Sequence, residues 1–347
     1  MMEYGPGDWY KQFVTEGKKD LTGSDDTLAR YGGELTIDML EAAQIHVSSF
    51  SVIVTTTGKE HGSKPLENMR PASGVIVQIR EQMYGVLTAA HVLRRRENSR
   101  YSAQVTLLAS PRGWDNRGVL FPIPLSPRPF TSVGFHNDSE EGPDLAIIPL
   151  KSTEWRHLNG RGMIAYNLRK QRFSDDDIAG IGGPITRCVS IIHGVNYKAS
   201  QIVRSHTNGK DVRLTMMASD TRVQGHVTRG CYDYLELPSE TTEHSYPARW
   251  KNELPGTAEE EIEELRDKGV TDEVWGGVSG AGVWNMVIEA NADGKPDGKV
   301  LAQLAGICFY ANPDKGCIIA HGPNSIQKIA AMHEGRPWSE TIQELKD

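Results

Sequence analysis

Residues 84–93 read YGVLTAAHVL. Tyr84 to Leu87 have the character of a short strand, and two small residues, Ala89 and Ala90, deliver His91 just past its end. Runs of the same kind recur along the chain: SFSVIVTTT (49–57), SGVIVQIR (73–80), DLAIIPL (144–150), TRCVSIIHGV (186–195), GAGVWNMVI (280–288), VLAQLAGICFY (300–310) and GCIIAHG (316–322). They are short, many are β-branched, and Gly, Pro, Asn or Asp divide them. That is the pattern of an all-β barrel or sandwich. Nothing alternates strands with long amphipathic helices, so a doubly wound sheet is not expected.

Helical signals are few and peripheral. TIDMLEAAQ (36–44) predicts a short helix capped by Thr36. TAEEEIEELRDKG (257–269) opens on a capping box, Thr257 to Glu260, and ends at Lys268-Gly269, which predicts a surface helix within an acidic insertion at 238–273. PNSIQKIAAMHEG (323–335) predicts a C-terminal helix with Pro323 near its start and Gly335 past its end. The polar stretch 152–177 reads as irregular. The expected organisation is a flexible arm at 1–35, a first barrel at 36–155, a linker at 156–180, a second barrel at 181–335 carrying the insertion, and a tail at 336–347.

Composition narrows the function classes. A chain of 347 residues, 38% hydrophobic and 24% charged, is long enough for two well-buried domains. The net charge of −7 disfavours a nucleic-acid surface, and Arg94 to Arg96 read as a solvated loop. No apolar run reaches the roughly 20 residues of a membrane span, and MMEYGPGDWYKQFVTEGKKD has no secretory character. A cytoplasmic location is expected, without membrane or nucleic-acid partners. Cys188, Cys231, Cys308 and Cys317 form no C-x-x-C pair, so they are expected to be reduced, with no metal site and no cofactor.

A second stretch carries the chemistry: WGGVSGAGVWN, residues 275–285. Glycine allows a tight turn and a close approach of another molecule to the backbone. Such a setting suits either a plain surface turn or a serine nucleophile, Ser279, with its flanking amides facing a substrate carbonyl. A nucleophile needs a base and a group to orient that base. His91 is the candidate base, and Asp144, in a turn made by Gly142 and Pro143 just before DLAIIPL, is the candidate orienting acid. Each of the three sits at a strand end among small residues.

These segments resemble the trypsin-like (chymotrypsin-fold) serine peptidases. Thr88-Ala89-Ala90-His91 is similar to that family's histidine motif, Asp144-Leu145-Ala146 to its aspartate motif, and Gly277-Val278-Ser279-Gly280-Ala281 to its serine motif, over roughly residues 45 to 333. The resemblance implies two six-stranded antiparallel β-barrels with the triad His91, Asp144 and Ser279 between them. It also implies an oxyanion hole from the amides of Gly277 and Ser279, and a substrate-pairing strand at Phe309, Tyr310 and Ala311. By position Glu273 falls where an acid selects basic side chains, and His321 ends the strand beside the same pocket, where it is either a lining or a structural residue. Val278 stands where digestive relatives carry an aspartate, so activation by a new N-terminal salt bridge is not expected. The implied activity is intracellular endopeptidase action on a protein or peptide, with a regulatory protein partner and control through the insertion. The alternative is a silent peptidase-fold scaffold that binds peptides or partner proteins. An esterase would use the same triad, but the α/β pattern usual for such enzymes is missing.

Overall fold

The computed structural model describes residues 36–57, 70–94, 104–109, 121–126, 128–133, 143–170, 173, 177, 180–181, 185–205, 209–221, 225–229, 232–238, 278–312 and 317–335. The arm at 1–35, the tail at 336–347 and nearly all of the acidic insertion lie outside them, as do Glu273, Gly277 and Cys231. Among the described residues the chain is mostly strand, in two antiparallel sheets with few helices.

The first sheet comprises β1 (Ser51–Thr57), β2 (Arg70–Arg80), β3 (Met83–Thr88), β4 (Gln104–Ala109), β5 (Phe121–Pro124), β6 (Thr131–Val133) and β7 (Leu145–Leu150), in the order β5-β4-β1-β2-β3-β7-β6. The second comprises β9 (Ile185–Ser205), β10 (Gly209–Thr221), β11 (Gly225–Arg229), β12 (Tyr232–Pro238), β13 (Gly282–Ala290), β14 (Pro296–Asn312) and β15 (Cys317–His321), in the order β10-β9-β13-β14-β15-β12-β11. A short β8 (Tyr166–Asn167) pairs in parallel with β2.

Chain connectivity curls the second sheet. Thr221 ends β10 and Gly225 begins β11. Four peptide links hold their Cα atoms within about 15 Å, whereas a flat sheet of this order would set its edges about 29 Å apart. The sheet must therefore curl until the end of β10 and the start of β11 lie close together. In the first sheet the edges β5 and β6 are likewise consecutive in the chain.

Burial follows the period-2 alternation of strands. On β13, Trp284, Met286, Ile288 and Ala290 face one apolar cluster while Val283 faces another. On β2, Val75, Val77 and Ile79 join the same cluster as Trp284, and Ile76 turns away. Leu87 and Val86 on β3, and Leu145 and Ala146 on β7, divide in the same way. Among the described residues there is thus one core inside each curled sheet, a shared one between them, and a smaller cluster where Ala89 meets the second sheet. All nine residues of β13 are buried, so apolar side chains such as Val283 and Trp284 stand on both of its faces, and its polar Asn285 and Glu289 are buried with them. Trp284 anchors the shared core, stacked on Phe50 at 5.3 Å and edge-on to Tyr166 at 5.4 Å.

Two expected helices form as predicted. Helix α1 (Ile37–Ser48) is capped by Thr36, whose hydroxyl accepts the Met39 amide at 3.2 Å, and its Met39, Ala43 and Val47 pack into the shared core. The last helix (Pro323–His333) has Pro at its first turn, and Gly335 follows with a φ of 89°. A five-residue α2 (Ala90–Arg94) follows β3.

Two expectations need correction. Among the described residues seven strands follow the path of each sheet, with β8 as an extra member of the first, where six and six are predicted. In the first sheet the cause is proline: residues 122, 124, 127 and 129 supply no amide donors, so this segment makes two short edge pieces instead of one strand. The stretch 152–177 is not wholly irregular, because Ser152–Asn159 is a helix, α3, that crosses the boundary predicted at 155–156. The last helix is therefore α4. Glu154 stabilises the start of α3 by accepting the Lys151 amide at 2.8 Å and pairing with Arg128, which also donates to the Pro149 carbonyl at 2.8 Å. Leu168 then donates to Gln78 at 3.0 Å, which ties this connection to the first sheet.

Candidate active site

His91 stands in the first turn of α2, where β3 ends. Ala89 and Ala90 are buried at 0% and 1% exposure, and Ala89 packs against Tyr234, Phe309, Cys317 and Ile319 of the second sheet. A larger residue at 89 would push the two sheets apart, which accounts for the small pair before the ring. The His91 side chain keeps 17% of its surface open.

Asp144 immediately precedes β7 and is 5% exposed. Both of its oxygens serve His91: Oδ1 accepts the His91 backbone amide at 2.8 Å, and Oδ2 is in short contact with Nδ1. The carboxylate therefore fixes both the backbone and the ring of one residue. With Nδ1 as the donor, Nε2 carries the lone pair.

Ser279 is partly exposed in a turn before β13, and both sheets hold that turn. Its carbonyl accepts the Ser73 amide of β2 at 2.9 Å. On the other side, the Gly280 amide donates to Cys308 of β14 at 2.7 Å, and the Cys308 amide donates to Ala281 at 2.9 Å. Gly280 has a φ of 88° and leaves no room for a side chain: a Cβ there would lie 2.0 Å from the Ser73 carbonyl oxygen and 2.3 Å from Thr88 Oγ1. Thr88 in turn donates to that same carbonyl at 2.7 Å. The residue after Ser279 thus rests on the strand end that presents His91.

His91 and Asp144 are joined directly, and Ser279 reaches the same seam through Gly280 and Thr88. Among the described residues the Ser279 hydroxyl bonds to neither, and the Ser279 amide donates to no protein acceptor. Val278 is 3% exposed and belongs to the core inside the second sheet. It therefore anchors the turn by burial, a role for which the motif alone offers no sign.

The remaining predicted residues separate. On β14, Phe309 is an inserted residue between the pairs Cys308↔Ala320 and Tyr310↔Ile319. From Phe309 to Asn312 the edge of β14 opposite β15 has no strand partner among the described residues. Phe309 itself is 5% exposed, while Tyr310 and Ala311 are partly open. His321 is fully buried, so it does not line a pocket. Its Nε2 accepts the Asp144 backbone amide at 2.9 Å, and its ring stacks on Phe309 at 4.2 Å.

A second buried histidine lies beneath the serine turn. His193 Nδ1 bonds Ser51 Oγ at 2.8 Å, Ser51 donates to Val47 at 3.0 Å, and Ser73 Oγ accepts the Val195 amide at 2.8 Å. Burial pushes His193 down to about 3 and His321 to about 4, so both rings are neutral. Asp233 behaves as a helix-terminus acid: its carboxylate accepts the Ser325 amide at 2.7 Å and the Asn324 amide at 3.2 Å at the start of α4. Among the described residues no group of acids, histidines and cysteines could hold a metal ion. No described helix is long and apolar enough to cross a membrane. Among the described residues Cys188, Cys308 and Cys317 form no disulfide.

No protein-family model matches this chain. No curated protein sequence matches it either. Among solved structures it is similar to the VesB protease of Vibrio cholerae, with a TM-score of 0.31 and 10% identity over 81% of this chain. The alignment spans 63% of that protein's length.

Proposed function

We propose that the chain is a serine endopeptidase that cleaves peptide bonds through an acyl-enzyme, with Ser279 as nucleophile, His91 as base and Asp144 as the acid that orients it. One observation carries the reading: a nearly buried carboxylate spends both oxygens on a single, partly exposed histidine. A structural ion pair has no need to leave the far side of the ring open. In the proposed cycle His91 Nε2 takes the Ser279 proton as Oγ attacks the carbonyl carbon. It returns that proton to the amine nitrogen as the C–N bond breaks. Water, deprotonated by the same nitrogen, then releases the acid and restores Ser279.

The amides of Gly277 and Ser279 would hold the oxyanion, and an extended substrate would add to the open edge of β14 at Phe309–Ala311. Preference for a basic residue through Glu273, intracellular action and control by a protein partner through residues 238–273 belong to the same proposal. A second reading, a scaffold that binds without cutting, is favoured by the missing Ser279–His91 hydrogen bond among the described residues.

A fluorophosphonate probe separates the two. The enzyme reading expects covalent labelling of the wild type that is lost in Ser279→Ala and His91→Ala, together with cleavage of unfolded protein substrates. A folded wild type that neither labels nor cleaves supports the scaffold.

A further inference from the structure

We infer that His321 is a positioning residue that holds Asp144, and through it His91, from the opposite sheet. The inference rests on the proposed triad. His321 touches no solvent, and its Nε2 is the acceptor of the Asp144 main-chain amide at 2.9 Å. An amide N–H can donate only to a nitrogen that carries a lone pair, so the ring proton sits on Nδ1, which has no partner among the described residues. Leaving that donor unsatisfied has a cost, and the gain at Nε2 is a fixed backbone under the orienting acid.

The ring is itself held rigidly. It stacks on Phe309 at 4.2 Å with planes 20° apart, and lies against Tyr234 at 5.5 Å. The next residue, Gly322, donates to the Asp233 carbonyl at 2.9 Å, and a Cβ at 322 would strike the Asp233 carboxylate at 2.4 Å. His321 is thus pinned at its face and at its backbone, with one lone pair directed at Asp144. Its face contact, Phe309, is the bulged residue of the strand whose edge is open. One imidazole therefore links the proposed substrate strand to the proposed acid.

His321→Phe keeps a flat ring on Phe309 and removes the acceptor. His321→Gln can return an oxygen to the place of Nε2. Maximal rate and half-saturation for fluorophosphonate labelling of Ser279 are measured for both and for the wild type. The far-downfield proton of the His91–Asp144 bond is followed by NMR in the same samples. His321→Phe is expected to lower the maximal rate about 10- to 100-fold, the scale for a misplacement near 1 Å, with half-saturation unchanged and the downfield signal broadened or moved. His321→Gln is expected to recover both to within a few-fold.

A folded His321→Phe that labels at the wild-type rate overturns the inference. So does a folded His321→Gln as impaired as His321→Phe. If His321→Phe does not fold, His321→Leu is read in the same way. If that fails too, loss of the downfield signal in folded His321→Gln overturns the inference and its retention supports it. If the wild type itself never labels, the peptidase reading has failed, and the downfield signal alone decides whether His321 holds the pair.

Discussion

Gly280→Ala should be among the most damaging single-methyl additions in this protein, and its cost can be divided into parts. The first is conformational: a non-glycine residue at a φ of 88° pays about 1–2 kcal/mol. The second is collision. The new methyl would sit 2.0 Å from the Ser73 carbonyl oxygen, a backbone atom of β2, and 2.3 Å from Thr88 Oγ1. Relief requires the turn to lift away from β2, which breaks Ser73 to Ser279 at 2.9 Å, and the Thr88 hydroxyl to turn aside, which breaks Thr88 to Ser73 at 2.7 Å. Two lost bonds in a region closed to water add about 2–4 kcal/mol, for a total of about 3–6 kcal/mol. Gly294→Ala isolates the first part, because Gly294 has a φ of 77° but its nearest obstacle is Thr36 Cγ2 at an ordinary 3.5 Å. Urea denaturation of both variants, with fluorophosphonate labelling in parallel, is the assay. Gly280→Ala should lose several times more stability than Gly294→Ala and should label more slowly while still folded. Equal losses, or a Gly280→Ala within about 0.5 kcal/mol of wild type, would refute the collision reasoning.

Acid should weaken the fold before the carboxylates titrate. Burial holds His193 at about 3 and His321 at about 4, against 6.5 for an exposed histidine. The unfolded chain therefore binds protons that the native state refuses. Their contribution is complete above about pH 6.5 and is lost progressively as pH falls toward 4, amounting to several kcal/mol at 1.36 kcal/mol per unit. A urea midpoint unchanged between pH 7 and pH 4.5 would contradict it. Asp144→Asn should fold and yet lose about 10⁴-fold in cleavage, because an amide NH₂ in place of Oδ2 selects the wrong tautomer of His91. A loss below about tenfold in peptide turnover would assign the orienting role to another acid.

The strands were legible because both periodicities were. Val75, Val77 and Ile79 alternate with residues that face inward, and β13 places the adjacent Val283 and Trp284 in different clusters because it has a core on each side. The strand count was not legible, since the proline-rich segment yields two short pieces, β5 and β6, that pair with distant strands on opposite edges of the first sheet. His91 and Asp144 were identifiable from small residues and strand ends, which are local features. The residues that hold them were hidden for the opposite reason. Ser73, which holds the Ser279 turn, and His321, which holds Asp144, act across 100 residues or more of chain, and nothing adjacent to them in sequence marks the contact. The helix α3 escaped notice because its buried positions are only Glu154 and Leu158, too few to make a periodic stripe. Glu154 is buried only because Arg128 and the Lys151 amide satisfy it.

The crossing of hydrogen bonds at the seam gives this chain a timetable. The first sheet lends the Ser73 amide to Ser279, and the second lends His321 to Asp144. Neither half owns a finished site. Asp144 and His321 are separated by 177 positions, and a ribosome adds about 5–20 residues per second. Each nascent chain therefore carries its histidine and acid for roughly 10–35 s before the residue that steadies them exists. Under the proposed peptidase reading, that half could not cut the unfolded polypeptides around it or its own unfinished remainder.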